Sequence, residues 1–235
     1  MKLETLVDRL RQAHGNDLSA VVVYGSAVTG ERLRKGSDTN VLVLVRSLSV
    51  SALEREAPVA QAWAKAGNPP PLTLTESEWR DSADIFPMEY SDILERHQVL
   101  HGTLPESGEV DREHLRLELE QQVMGKLIQL RQGVLGAAGK RGAMLALLEA
   151  SLSTFMVLFR ATVRLHGEVP PPNSQELCGR VAALCGIDAE PFVRVVRHVL
   201  GDSRLGADDA SALLDRYLAE TGKLKIHLDQ FVTTP

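Results

Sequence analysis

LSAVVVYGSAVTG at residues 18–30, the basic loop ERLRKG and SDTNVLVLV at residues 37–45 form the stretch that decides the fold. Its two apolar runs, 18–24 and 40–45, are typical of buried strands. Between them, Gly25 permits backbone conformations closed to other residues and lets a phosphate group approach closely. Ser26 supplies a hydroxyl group, and the amides after it can begin a helix whose N-terminus attracts phosphate. The stretch therefore predicts two strands joined by a phosphate-binding turn.

This pattern resembles the signature of the polymerase-beta-like nucleotidyltransferase superfamily: a strand ending in Gly-Ser, a short loop, then Ser-Asp-x-Asp on a second strand. The residues that match it as they stand are Gly25, Ser26, Ala27, Gly30, Ser37 and Asp38. The resemblance implies an NTP as substrate or ligand, with Gly25, Ser26 and Ser37 at the nucleotide. It also implies that Asp38 is a catalytic residue and a ligand of Mg²⁺. In the family, two carboxylates hold two Mg²⁺ ions, and a third carboxylate on a later strand positions or deprotonates the acceptor hydroxyl.

The chain departs from the family pattern at two of these three acidic positions. Asn40 stands where the second catalytic aspartate is expected, and the candidate third strand, Leu72-Thr73-Leu74-Thr75, has no carboxylate. An asparagine offers a neutral oxygen, whereas Mg²⁺ prefers charged oxygen ligands. Glu78 follows this strand, but its spacing from Thr75 predicts a helix-capping role. We therefore expect an acidic motif that is degenerate.

Two further groups of residues have more than one interpretation. Arg32, Arg34 and Lys35 lie between the two strands and are candidates for charge-assisted phosphate contacts; a solvated loop is the alternative. Glu89 and Asp92 are three residues apart, hence on one helical face. They either replace the lost metal ligands or simply lie near a helix N-terminus, where negative charge is favourable.

The chain as a whole predicts an α+β protein of two domains. A small mixed sheet of about four short strands, with 72–75 and 99–102 as the third and fourth, occupies residues 1–108. Residues 109–235 follow a Pro/Gly/Ser linker and form an antiparallel helical bundle, with helices at 111–138, 141–166, 174–185, 189–200 and 207–231. This architecture is similar to the helical C-terminal domains that accompany nucleotidyltransferases such as the aminoglycoside-modifying ones.

Composition narrows the possible partners and location. The net charge of -5 and the 4% aromatic content argue against extended nucleic-acid binding. The best apolar run, 143–159, is interrupted by Glu149 and several hydroxyls and is too short to span a bilayer, and the N-terminus has no signal-peptide pattern. A cytoplasmic protein without membrane contact is therefore expected. His97 and His101 have the spacing of a helical zinc pair, but the surrounding residues favour a strand.

Three functions follow as hypotheses. The first is a nucleotidyltransferase-fold protein that binds a nucleotide or acts in regulation, with weak or no transfer activity. The second is an active nucleotidyltransferase that moves a nucleoside monophosphate from an NTP to a small-molecule or protein hydroxyl, with Mg²⁺ as cofactor and a carboxylate such as Glu89 in compensation. The third is an interaction protein of toxin–antitoxin type.

Overall fold

The computed structural model describes residues 1–25, 28, 39–106 and 108–232. The chain divides into two compact units, Met1–Asp111 and Arg112–Pro235. The first unit contains the sheet, and the second is helical. Together these elements confirm the α+β fold class predicted from the sequence.

The first unit is built on a four-stranded mixed sheet. Its strands are β1 (Leu18–Tyr24), β2 (Asn40–Val45), β3 (Leu72–Thr75) and β4 (His97–Gly102), in the order β3-β2-β1-β4. β1 pairs antiparallel with both of its neighbours, and β2 pairs parallel with β3. Tyr24 is opposite Asn40 on one side and His97 on the other. The end of β1 and the starts of β2 and β4 therefore meet at one end of the sheet.

Within the described part of the first unit, four helices cover the two faces of this sheet: α1 (Leu3–His14), α2 (Val50–Lys65), α3 (Glu76–Arg80) and α4 (Pro87–Glu95). On one face, side chains of α1 and α2 such as Leu10 and Trp63 pack on Val21, Val43 and their alternates along β1 and β2. On the other face, Trp79, Tyr90 and Ile93 pack on Ala20, Val22, Leu42 and Leu44. Burial on both faces explains why β1 and β2 are almost continuously apolar.

The second unit consists of the helices α5 (Arg112–Ala137), α6 (Arg141–Leu165), α7 (Ser174–Cys185), α8 (Glu190–Leu200) and α9 (Ala210–Asp229). Its core contains an aromatic cluster in which Phe155 and Phe159 of α6 contact Phe192 of α8 and Tyr217 of α9. The Tyr217 hydroxyl is within 3.1 Å of the Ser151 hydroxyl, so this buried polar group has a partner.

α6 is the most apolar of these helices. Its 25 residues are long and apolar enough to cross a bilayer, so the prediction that this run is too short was wrong on length. The same length and composition are found in the core helices of soluble proteins, and the buried side chains of α6 include Leu148, Phe155 and Phe159. Length and apolar composition alone therefore give only weak evidence for a membrane span.

Candidate functional site

Gly25 and Asn40 lie against each other at the end of the sheet where β1 ends and β2 begins. We refer to this part of the sheet as the Asn40 corner. Gly25 has a φ of +79°, a conformation that side-chain-bearing residues rarely adopt. A Cβ atom at Gly25 would be 3.4 Å from the Asn40 Nδ2 atom. The structure therefore brings together two of the predicted site residues, and it places the amide of Asn40 directly beside the glycine.

Asn40 belongs to the sheet face that α3 and α4 cover. Strand residues alternate between faces, and Leu42 and Leu44 of the same strand pack in that cluster. Tyr24, its cross-strand partner, is half-buried and packs on the same cluster. Burial raises the pKa of the Tyr24 hydroxyl, and the negative charges of Glu89 and Asp92 raise this pKa further. Tyr24 therefore keeps its proton at neutral pH and is a neutral hydrogen-bond donor next to Asn40.

The C-terminal end of α4 is tied to this corner through Arg96. The Gly25 amide donates a hydrogen bond to the Arg96 carbonyl at 3.0 Å, and the Arg96 guanidinium lies 3.5 Å from the buried carboxylate of Asp92. Glu89 is exposed in the first turn of α4. The Asp92 carboxylate therefore has a structural partner, and of this pair only Glu89 is solvent-accessible.

The third strand is hydrogen-bonded to a buried carboxylate, that of Glu56. Thr73 donates its hydroxyl hydrogen to Glu56 Oε1 at 2.7 Å, and Glu56 Oε2 lies 3.0 Å from His14 Nε2. These three residues form a polar triad between β3, α2 and α1, in which His14 and Glu56 are buried and Thr73 is half-buried. Thr73 thus points to the face opposite Asn40, while Leu74 packs on the face of Asn40. All residues of β3 are described, and none of them is acidic.

The sequence prediction missed Glu56, although a signal was present. Ala52, Glu56, Val59 and Trp63 follow one another at helical spacing, and all four are buried in α2. A carboxylate on the apolar stripe of a helix needs a buried partner, since an unpaired buried charge is costly. Its partner here is the histidine at the end of α1, which lies 42 residues earlier in the chain.

The other predicted site residues have different outcomes. Ser26, Arg32, Arg34, Lys35, Ser37 and Asp38 lie outside the described residues, so their roles at the nucleotide and the metal stay predictions. Glu78 caps α3 in a capping box with Thr75, the helix-capping role expected of it. His97 and His101 lie on β4, where four residues span roughly 13 Å, so they do not form a helical zinc pair.

The described residues of this corner do not fit a two-metal site. Asn40 supplies a neutral amide, Asp92 is paired with Arg96, and β3 supplies no carboxylate. Two Mg²⁺ ions need several anionic oxygen ligands from the protein and the substrate. Among the residues that the structure describes, the corner offers a hydroxyl, an amide and one exposed carboxylate instead.

Comparisons with known proteins agree with the fold. Neither protein-family models nor curated protein sequences match the chain. Among solved structures, it is similar to spectinomycin adenyltransferase AAD(9) from Enterococcus faecialis, crystallised with ATP and spectinomycin. The TM-score is 0.61 at 14% sequence identity, over 95% of this chain and 98% of that chain. A toxin–antitoxin structure with AMP-PNP gives a TM-score of 0.30 at 19% identity, over 43% of this chain and 75% of that chain, which is too low to carry an argument.

The match to the adenyltransferase extends over nearly the whole of both chains. At 14% identity, the similarity is one of fold. The chain therefore has the nucleotidyltransferase fold that the Gly-Ser and Ser-Asp motifs predicted, with a helical C-terminal region.

Proposed function

We propose that this protein binds a nucleotide through a nucleotidyltransferase fold and has weak or no transfer activity. The observation that carries the proposal is the position of the Asn40 amide, which lies against Gly25 at the turn where the family binds its triphosphate. A neutral side chain stands where the resemblance requires a metal-binding carboxylate. Losing one anion weakens the binding of divalent ions, because charged oxygens are the ligands that Mg²⁺ prefers.

The third strand supports the same proposal. The Thr73 hydroxyl donates a hydrogen bond to Glu56 on the face covered by α1 and α2, and Leu74 packs on the opposite face, which includes Asn40. Neither Thr73 nor Leu74 can take a proton from an acceptor hydroxyl in the way a carboxylate does. The proposal therefore combines a weakened metal site with the loss of the group that activates the acceptor.

Nucleotide binding itself does not need these carboxylates. Gly25 keeps the left-handed conformation that allows a close approach of phosphate. We propose Ser26 and Ser37 as hydroxyl donors to the phosphates, and Arg32, Arg34 and Lys35 as the cations that neutralise them. Asp38 is a proposed Mg²⁺ ligand only if the protein is an active nucleotidyltransferase. Such nucleotide binding suits a regulatory protein that responds to nucleotide concentration.

The test is calorimetric titration of ATP into the full chain with and without Mg²⁺, repeated for Asn40→Asp. We expect the natural chain to bind ATP with little dependence on Mg²⁺. Asn40→Asp should bind ATP more tightly when Mg²⁺ is present, because the added anion stabilises a nearby divalent ion. The expected gain is about tenfold, which corresponds to about 1.4 kcal/mol.

The matched control is Asn173→Asp in the second unit. Asn173 caps α7 by accepting hydrogen bonds from the amides of Gln175 and Glu176, a role that aspartate fills equally well. This variant adds the same charge and should leave ATP binding unchanged. Equal Mg²⁺ dependence in the natural chain and in Asn40→Asp would contradict the role assigned to Asn40. Binding of no ATP by either chain would contradict nucleotide binding and favour an interaction protein.

A second candidate function is transfer of a nucleoside monophosphate to a small-molecule hydroxyl. It is favoured by the similarity over almost the full length of both chains to an adenyltransferase crystallised with ATP and spectinomycin. In this case Glu89, which is exposed and acts electrostatically on Tyr24, would have to compensate for the missing carboxylates. The test is an adenylylation assay with ATP, Mg²⁺ and spectinomycin. A rate on the order of 1 per second or faster would establish the enzyme and overturn the degenerate function.

A further inference from the structure

Three helices of the second unit end at the same place, and each brings one metal-ligating side chain. His166 directly follows α6, Cys185 is the last residue of α7, and His227 lies in the last turn of α9. One ligating atom from each of the three side chains lies within 4.8 Å of the other two. All three residues are half-buried. This cluster is separate from the Asn40 corner, since all three of its residues belong to the second unit.

The histidine atoms are oriented as ligands. His166 Nδ1 lies 2.8 Å from the Thr162 carbonyl, so its hydrogen is donated there and the lone pair of Nε2 is left available. That Nε2 atom lies 3.2 Å from Nε2 of His227. Metal-binding histidines commonly donate their second ring hydrogen to a backbone carbonyl in this way. In a tetrahedral zinc site with Zn–N bonds of about 2.0–2.1 Å, two nitrogen ligands are about 3.3–3.4 Å apart. The observed separation is close to that value.

The surroundings favour a cation. The carboxyl ends of three helices carry partial negative charge, and they converge on this cluster. Phe231 packs edge-on against the His166 ring, with 4.8 Å between ring centroids, and shields one side of the cluster from solvent. Glu168 is paired with Arg180, so its carboxylate is already engaged. The cluster offers three protein ligands, so a tetrahedral ion bound there would take its fourth ligand from water.

We propose that His166, Cys185 and His227 bind a zinc ion. Two imidazoles and one thiolate suit zinc by ligand type, whereas Mg²⁺ and Ca²⁺ prefer oxygen. Binding joins the ends of α6, α7 and α9 and releases the thiol proton of Cys185 to solvent. The ion stabilises the helical unit whether or not the first unit binds a nucleotide.

The test uses the full chain, freed of metal by a chelator and titrated with Co²⁺ as a spectroscopic probe. We expect about one ion per chain, with the intense visible bands of tetrahedral cobalt and a thiolate-to-cobalt band in the near ultraviolet. Added Zn²⁺ should displace the cobalt. Cys185→Ala should lose the thiolate band, and His227→Gln should bind at least about tenfold more weakly.

Matched controls separate the cluster from other thiols and imidazoles. Cys178→Ala changes the same residue type in the same helix, and His101→Gln changes a histidine in the first unit. Both controls should bind cobalt as the natural chain does. Zinc should raise the thermal unfolding midpoint of the natural chain and the controls, but not that of Cys185→Ala or His227→Gln. Equal cobalt binding by the natural chain and these two variants, or absence of the thiolate band in the natural chain, would overturn the proposal.

Discussion

The carboxylates on the two faces of the sheet differ in their burial and in their partners. On the face covered by α1 and α2, Glu56 is buried and held by two partners, His14 and Thr73. On the face covered by α3 and α4, which includes Asn40, the apolar cluster fills the centre. The carboxylates of that second face lie at its margin, where Asp92 pairs with Arg96 and Glu78 caps α3.

The difference shows how the acidic residues near the sheet are used. The Glu56 carboxylate links β3, α2 and α1, and it lies on the sheet face opposite Asn40. On the opposite side, Glu78 bonds to the N-cap residue of α3 and Asp92 pairs with the residue that follows α4, while Glu89 is exposed. Among the residues that the structure describes, Glu56, Asp92 and Glu78 thus each have a structural role. Substitutions on either face of the sheet can test these roles.

The largest expected effect is the loss of the polar triad. Glu56→Ala removes the hydrogen-bond partner of both His14 and Thr73, and each polar group left unsatisfied in the interior costs about 1–3 kcal/mol. The free energy of unfolding should fall accordingly in urea or guanidinium titrations. The control is Glu54→Ala, because Glu54 is an exposed residue of the same helix, and its change should stay within about 0.5 kcal/mol. Equal losses for the two variants would mean that the triad contributes nothing beyond helix composition.

An intermediate effect is expected at the Asn40 corner. Gly25→Ala places a side chain in a left-handed conformation and against the Asn40 amide, at a cost of about 1–2 kcal/mol. Gly67→Ala is the control, because Gly67 has a φ of +89° with no atom near the added Cβ. Comparing the two unfolding free energies isolates the contact with Asn40. If Gly67→Ala lowers the free energy of unfolding as much as Gly25→Ala does, the whole effect comes from the left-handed backbone conformation and none from the contact with Asn40.

The smallest effect concerns the carboxylate that caps α3. The Thr75 amide and hydroxyl donate hydrogen bonds to Glu78 at 2.7 and 2.9 Å, and they lower the pKa of its carboxyl. A lowered pKa means that the stabilisation is complete above the ordinary pKa of a glutamate and is lost as the pH falls through the folded-state value. The difference in thermal unfolding midpoint between the natural chain and Glu78→Gln should therefore shrink as the pH is lowered.

The control for this pH series is Glu76→Gln in the first turn of α3. It removes one negative charge from the same helix N-terminus but leaves the Thr75–Glu78 capping box in place. A midpoint difference for Glu78→Gln that grows as the pH falls would have the wrong sign and would reject the capping role of the carboxylate.

Much of the fold could be predicted because its signals are local. The apolar runs gave β1 and β2 with their observed ends, and Gly or Pro residues marked most helix boundaries. β4 begins at His97, two residues before its predicted start. It pairs with β1 only and is an edge strand, so polar residues such as His97 and Gln98 are tolerated there.

The parts of the site that could not be predicted depend on contacts between distant residues. His14 and Glu56 are 42 residues apart, and His166 and His227 are 61 apart. No local spacing encodes such pairs, because helix packing alone brings them together. The Gly25–Asn40 contact was accessible from sequence, since the resemblance already placed both residues at one corner.

The position of β1 in the middle of the sheet has a consequence for folding during synthesis. One edge of this apolar strand is covered as soon as β2 emerges from the ribosome, but the other edge waits for β4, which begins at His97. Until then the nascent chain presents an open apolar edge that can pair with other chains. Because the strands of the sheet all precede Arg112, this edge can be closed before the helical unit has been made. Slowing translation so that β4 emerges long after β2 should therefore increase aggregation more than slowing it once β4 has emerged.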